Sequence, residues 1–205
     1  MNSYFDNHFN KKIVTIYPGE FYSSSENEMI STVLGSCISI ALIDSERKIG
    51  GLNHFMLAKD TSIEDDRESS RLMGKFGEYA MELLIKDIAG KGAKVGNLQA
   101  KVFGGSNVFN LPSTSGAQVG EVNIKFAFDY LKQKNIPVVT SNTGGTAPRK
   151  IFFDPLTSKV YLKYIQNHNV DAQLESKEEA YLEKISLKEV RNLFPVLPDD
   201  NFGNL

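Results

Sequence analysis

With a single cysteine among its 205 residues, Cys37, this chain can form no internal disulfide. Its default compartment is therefore the reducing cytoplasm. Its three histidines, His8, His54 and His168, match no metal-ligand spacing, and no metal is expected. Neither sign of charge dominates: 23 Lys+Arg stand against 25 Asp+Glu, for a formal net charge of -2. That balance points to neither nucleic acid nor an anionic membrane surface. No stretch approaches the roughly 20 apolar residues of a membrane span. Residues Met1 to Asn10 lack the apolar run of a signal peptide, so membrane insertion is not expected. Gly104-Gly105-Ser106 and Gly144-Gly145-Thr146 make neither a Walker loop nor a dinucleotide fingerprint, and no cofactor is expected.

What is present is the make-up of an ordinary globular domain, 41% hydrophobic and 23% charged. Apolar periodicity predicts strands at Lys12–Tyr17, Cys37–Ile43, Ile49–Leu57, Leu98–Phe103, Ile136–Thr140, Lys150–Phe153 and Lys159–Ile165. It predicts long amphipathic helices at Leu72–Ile88 and Val119–Lys134, the first stopped by Gly90 and Gly92. Ser23–Glu28 reads as a loop, and His8 falls in a polar N-terminal stretch. The fold class is α/β (α+β): a layered sandwich of mixed β-sheet, with both helices covering one side and no long parallel winding. The domain is expected to run over 1–165. A tail at 166–205, with a short polar helix at Glu178–Lys188, is expected to pack on the same domain.

Chemistry concentrates in two segments. Leu34-Gly35-Ser36-Cys37 puts a thiol just after a glycine, at the entry to a strand. A free cysteine is often an inert core residue, and a reactive one needs an activating neighbour. The second segment is Gly51-Leu52-Asn53-His54-Phe55-Met56-Leu57. If the two strands pair through the turn at Asp44–Lys48, they run antiparallel, and the start of one faces the end of the other. That brings Cys37 and His54 together, and such a pair can attack a carbonyl carbon. A hydroxyl from Thr32 or Ser31 could orient the imidazole, and Ser36 and Asn53 flank the dyad. Gly104-Gly105 and Gly144-Gly145 are read as tight turns lining a cleft, or as backbone N–H groups for an oxyanion. A Cys37 activated in this way is expected to alkylate below its ordinary pKa, whereas a buried structural one is not.

Four ordered motifs together resemble the CheD family of chemoreceptor glutamine deamidases. They are Thr32-Val33-Leu34-Gly35-Ser36-Cys37; Ile49-Gly50-Gly51-Leu52-Asn53-His54-Phe55-Met56-Leu57; Ala100-Lys101-Val102-Phe103-Gly104-Gly105 with Gly120 and Asn123; and Thr143-Gly144-Gly145 with Arg149-Lys150. The sequence departs from the family pattern at Asn142, where many relatives have an acidic residue. The resemblance implies a fold like that of deamidating toxins of the cytotoxic-necrotizing-factor type. It implies a triad of Cys37 as nucleophile, His54 as base and Thr32 as orienting residue, with Ser36, Asn53, Gly104, Gly105 and Thr143 toward the substrate. The implied activity converts glutamines of methyl-accepting chemotaxis receptors to glutamates, and extends to receptor methyl esters. The implied partner is a CheC-type phosphatase. The competing reading is a non-catalytic adaptor that binds that phosphatase or the receptor bundle.

Overall fold

Strand residues alternate between two faces. In the stretch Ile38–Asp44 both faces are apolar, with Ile38, Ile40 and Leu42 on one and Ala41 and Ile43 on the other. A strand of this kind needs cover on both sides. The computed structural model describes residues 1–57, 66–107 and 116–165 and supplies that cover. The elements in chain order are β1 (Asn2–Asp6), β2 (Lys11–Thr15), β3 (Phe21–Ser24), β4 (Glu28–Leu34), β5 (Ile38–Asp44), β6 (Ile49–Asn53), α1 (Asp66–Gly90), β7 (Gln99–Gly104), α2 (Gly116–Gln133), β8 (Val138–Thr143), β9 (Arg149–Phe153) and β10 (Val160–Tyr164).

The described strands form two five-stranded sheets, ordered β1-β2-β4-β9-β10 and β3-β6-β5-β7-β8. Each is mixed: β2 runs parallel to β4, and β7 parallel to β8 with α2 as the crossover. Both helices pack on one face of the second sheet. The first sheet covers its other face, where Ile30, Leu34, Ile151 and Phe153 meet Ala41, Ile43, Leu52 and Phe103. The result is an α+β sandwich of three layers, with helices on one side as expected. Each Leu, Ile or Phe buried in these layers stabilises the fold by about 1.5–3 kcal/mol. No helix among the described residues is long and apolar enough to cross a membrane.

The observed elements differ from the sequence reading at three strands. β4 lies in a stretch before Cys37 for which the sequence predicted no strand. It is central, between β2 and β9, and all but one of its residues are buried. Its small polar Ser31 and Thr32 break the expected period-two signal. β3 occupies part of the expected loop, because Phe21–Ser24 pairs antiparallel with Gly50–Asn53. β1 makes the N-terminal stretch an edge strand on β2. The helix expected at Glu178–Lys188 lies outside the described residues.

The β5–β6 hairpin forms as expected, with Ala41 opposite Leu52 and Asp44 opposite Ile49. β6 ends at Asn53, and only one further bridge continues the pairing, Ile38 with Phe55. Beyond it the ladder stops, because the Leu57 N–H donates instead to the Asn123 side-chain oxygen at 2.8 Å. Gly104 closes the other side of β5. Its φ of +107° lies in the left-handed half of the map, and a Cβ there would collide with the Cys37 carbonyl oxygen. Gly104→Ala is therefore expected to cost at least about 2 kcal/mol. A drop in the denaturant midpoint measures it, and an unchanged midpoint would contradict the close approach.

Candidate active site

The register of the hairpin decides which side chains meet. With Ile38 opposite Phe55, Ser39 falls opposite His54 and Cys37 opposite Met56. Cys37 and His54 are then diagonal cross-strand neighbours on one face, a separation that longer side chains span. This face looks toward the first sheet, and Cys37 and Met56 belong to the inter-sheet core. The His54 backbone is tied down on its far side. Its N–H donates to the Glu20 carbonyl at 2.9 Å, and its carbonyl accepts from the Gly19 N–H at 2.8 Å.

Thr32 reaches the histidine from the other sheet. On β4 its side chain shares the inner face with Ile30 and Leu34, while Ser31 takes the opposite face. The Thr32 hydroxyl donates to the Ile16 carbonyl at 2.9 Å and lies 2.8 Å from His54 Nδ1. A hydroxyl has one proton. Since that proton goes to Ile16, Nδ1 must carry its own and donate it to Thr32. Nε2 is then the lone-pair nitrogen, and it is buried without a hydrogen-bond partner. Burial also pushes the His54 pKa down to about 3, so the ring is neutral at physiological pH. Cys37, His54 and Thr32 are all buried, at 0%, 2% and 1% relative exposure.

The turn carrying Cys37 is clamped through its carbonyls. Gly35 O accepts from the Ser106 N–H at 2.7 Å, and Cys37 O accepts from the Gly105 N–H at 2.7 Å. Ser36 O accepts from Asn123 Nδ2 at 2.9 Å. The Gly105 N–H is thus committed to the turn, and the Gly144 N–H likewise donates to Gly104 O at 2.9 Å. The Gly105 and Gly144 N–H groups thus serve the turns themselves. Ser36 is buried, with its hydroxyl 4.0 Å from Met56 Sδ. Thr143 ends β8 opposite Gly104 and is partly exposed. Asn53 stands apart: its side chain serves the helix layer, accepting from the Ile40 N–H at 2.9 Å and approaching Met81 Sδ at 3.2 Å.

Two buried polar residues near the turn stood in the motifs that carry the family resemblance, but without an assigned role. Asn123, on α2, is 0% exposed and bonds both the Ser36 carbonyl and the Leu57 N–H. Arg149, on β9 opposite Leu34, donates to Asn142, Ser106 and the carbonyls of Gly144 and Ala147. Among the described residues no carboxylate pairs with it, and burial holds its pKa below the ordinary range.

The family model for CheD, described as chemotactic sensory transduction, matches residues 56–164. The chain is 43% identical over 171 residues to a protein of Shewanella oneidensis named probable chemoreceptor glutamine deamidase CheD 1, covering 82% of this chain and 80% of that one. The chain belongs to the CheD family. A second CheD relative, named probable chemoreceptor glutamine deamidase CheD, comes from Methylobacillus flagellatus. It is 40% identical over 190 residues, covering 92% of this chain and 91% of that one. The match to the family model begins just after His54, whereas this longer alignment leaves too little of the chain uncovered to miss positions 37 to 54. Among solved structures, the chain is similar to the crystal structure of Bacillus licheniformis hypothetical protein YfiH. The TM-score is 0.35 at 12% identity, over 62% of this CheD chain and 49% of that one, a likeness that carries no argument.

A histidine held neutral in the fold makes acid stability its readout. The folded pKa of about 3 lies below the ordinary 6.5. Between those values the unfolded chain binds a proton that the folded chain refuses, so stability is full above about pH 6.5 and falls as pH drops. The slope is about 1.4 kcal/mol per pH unit. Urea unfolding at pH 7 and pH 5 should show a loss of about 2 kcal/mol in wild type that His54→Gln does not share. Equal losses in the two proteins would mean that His54 is protonated in the fold.

Proposed function

We propose that this CheD-family chain is a protein-glutamine deamidase acting on methyl-accepting chemotaxis receptors, with Cys37 as nucleophile, His54 as general base and Thr32 as orienting residue. The observation that carries this reading is the tautomer of His54. Its Nδ1–H is committed to Thr32, which leaves Nε2 to accept a proton on the face it shares with Cys37. The substrate class is supported by the names of the relatives, which are probable chemoreceptor glutamine deamidases.

At rest the dyad is a neutral imidazole beside a buried cysteine, so proton transfer accompanies attack. His54 Nε2 takes the thiol proton as sulfur bonds to the glutamine amide carbon, and the carbonyl electrons move onto oxygen. Backbone N–H groups of the Gly35–Cys37 turn stabilise that oxyanion. The imidazolium returns its proton to nitrogen, the C–N bond breaks, and ammonia leaves a thioester. Water then gives a proton to His54 and its oxygen bonds to the thioester carbon. The C–S bond breaks, sulfur regains the proton, and the product is glutamate. A receptor methyl ester follows the same path with methanol as the leaving group.

This reading takes residues 1–165 as the catalytic domain, a cytoplasmic location, and a fold of the deamidating-toxin type. It takes a CheC-type phosphatase as a binding partner. One observation favours the competing adaptor reading: Cys37 has no exposed surface, so a substrate must open a path to the thiol.

Intact-mass spectrometry of a purified receptor cytoplasmic fragment decides between them. Wild type should add about one dalton per modified glutamine, and Cys37→Ala and His54→Ala should add none. Thr32→Val, which loses the tautomer lock, should lower kcat about 100-fold, while Thr32→Ser keeps most of the activity. Mass gain with Cys37→Ala would overturn the thiol mechanism. No gain with wild type on several receptors would favour the adaptor.

A further inference from the structure

Three consecutive carbonyls, those of Gly35, Ser36 and Cys37, are each held by a donor from outside the turn. Two of those donors are backbone N–H groups of Ser106 and Gly105. The third is the side chain of Asn123. Its Nδ2 holds Ser36 O at 2.9 Å, and its Oδ1 accepts the Leu57 N–H at 2.8 Å. One buried amide on α2 therefore links the residue before Cys37 to the segment just after His54. Close packing fixes that amide in place. One turn earlier on α2, a Cβ at Gly120 would lie 2.7 Å from Gly105 O, so the helix backbone rests directly on the glycine pair beneath Cys37.

In a trans peptide the N–H points away from the C=O. Holding the Ser36 carbonyl therefore sets the direction of the Cys37 N–H, and holding the Gly35 carbonyl sets that of the Ser36 N–H. These are the N–H groups of the nucleophile turn.

We propose that Asn123 is a positioning residue for the deamidation: it fixes the Ser36–Cys37 peptide plane, and so aims the backbone N–H that stabilises the oxyanion formed on Cys37 attack. The inference rests on the deamidase reading above. Asn123 touches neither thiol nor substrate in this role. Its effect is on the geometry of charge stabilisation, where an error of about 1 Å costs about 100-fold in rate.

The test compares Asn123→Asp and Asn123→Ala with wild type on a purified receptor fragment, with mass-spectrometric rates over a range of substrate concentration. Asn123→Asp keeps the acceptor for Leu57 N–H and removes the donor to Ser36 O. Both variants should lose about 100-fold in kcat with KM within about threefold. Alkylation of Cys37 by iodoacetamide forms no oxyanion, so in Asn123→Ala its rate should stay within about twofold of wild type. If Asn123 only holds the fold together, the loosened turn will expose the thiol and alkylation will accelerate, which overturns the proposal. Wild-type kcat in either folded variant overturns it as well. An inactive wild type would count against the deamidase reading instead, so the two failures are distinguishable. If Asn123→Asp does not fold, Asn123→Ser, a smaller neutral replacement that cannot reach both partners, carries the same kcat and alkylation comparison.

Discussion

A hydrogen bond between the two sheets, from His54 Nδ1–H to the Thr32 hydroxyl, is the constraint on which the site depends. It exists only when both sheets are stacked, because β4 supplies Thr32 and the end of the β5–β6 hairpin supplies His54. It also requires the Ile16 carbonyl, which takes the hydroxyl proton and thereby settles which ring nitrogen is basic. Tertiary packing and chemistry are thus linked by a single proton. A hydroxyl with no acceptor at Ile16 could donate to Nδ1 instead, and the basic nitrogen would then face the wrong sheet.

Several polar groups are buried around the same site. Arg149, Asn123, Ser36, Thr32 and His54 are all buried there or at its edge. A buried polar group is costly unless it is bonded. Here the partners are largely backbone: the carbonyls of Gly144, Ala147 and Ser36 and the N–H of Leu57. That choice has a consequence. Backbone partners belong to turns rather than to side chains that can rotate, so satisfying the polar groups also rigidifies the loops around Cys37. The buried atoms left without partners among the described residues include His54 Nε2, the nitrogen that the proposed mechanism uses.

The sequence was informative where contacts are local or periodic. Cys37 and His54 could be paired because one short hairpin joins them, and β5 with its single turn specifies the register. The two helices were visible for the same reason, as long amphipathic periods. β4 was hidden because a short strand buried on both faces, with Ser31 and Thr32 inside it, shows no alternation. The choice between Thr32 and Ser31 could not be made from adjacency. Only the facing sheet distinguishes the two sides of β4. Asn123 and Arg149 were visible only through the family resemblance, with no role attached, for a different reason. The partners of Asn123, and most of those of Arg149, are peptide groups, which every residue has, and no pairing of residue types betrays their role. Asn53 misled in the opposite sense. It neighbours His54 in sequence, but alternation sends its amide to the helix layer.

Burying Cys37 and His54 changes how the proposed nucleophile would be activated. An exposed Cys–His pair can rest as thiolate and imidazolium, but separating charge in a closed layer is opposed by desolvation of both ions. The depressed pKa of His54 expresses that opposition. Under the proposed mechanism, His54 therefore does not deprotonate the thiol in advance. It can do so when a carbonyl arrives to accept the sulfur electrons, because the negative charge then moves onto oxygen, toward N–H donors. Arg149, which pairs with no carboxylate among the described residues, would favour negative charge at this end of the sandwich under the proposed mechanism. On the proposed mechanism, reactivity is thereby tied to substrate presence: a glutamine against the turn would complete electrostatics that the resting thiol lacks. Selectivity then follows from which protein surfaces can open the site, more than from any specificity in the thiol itself.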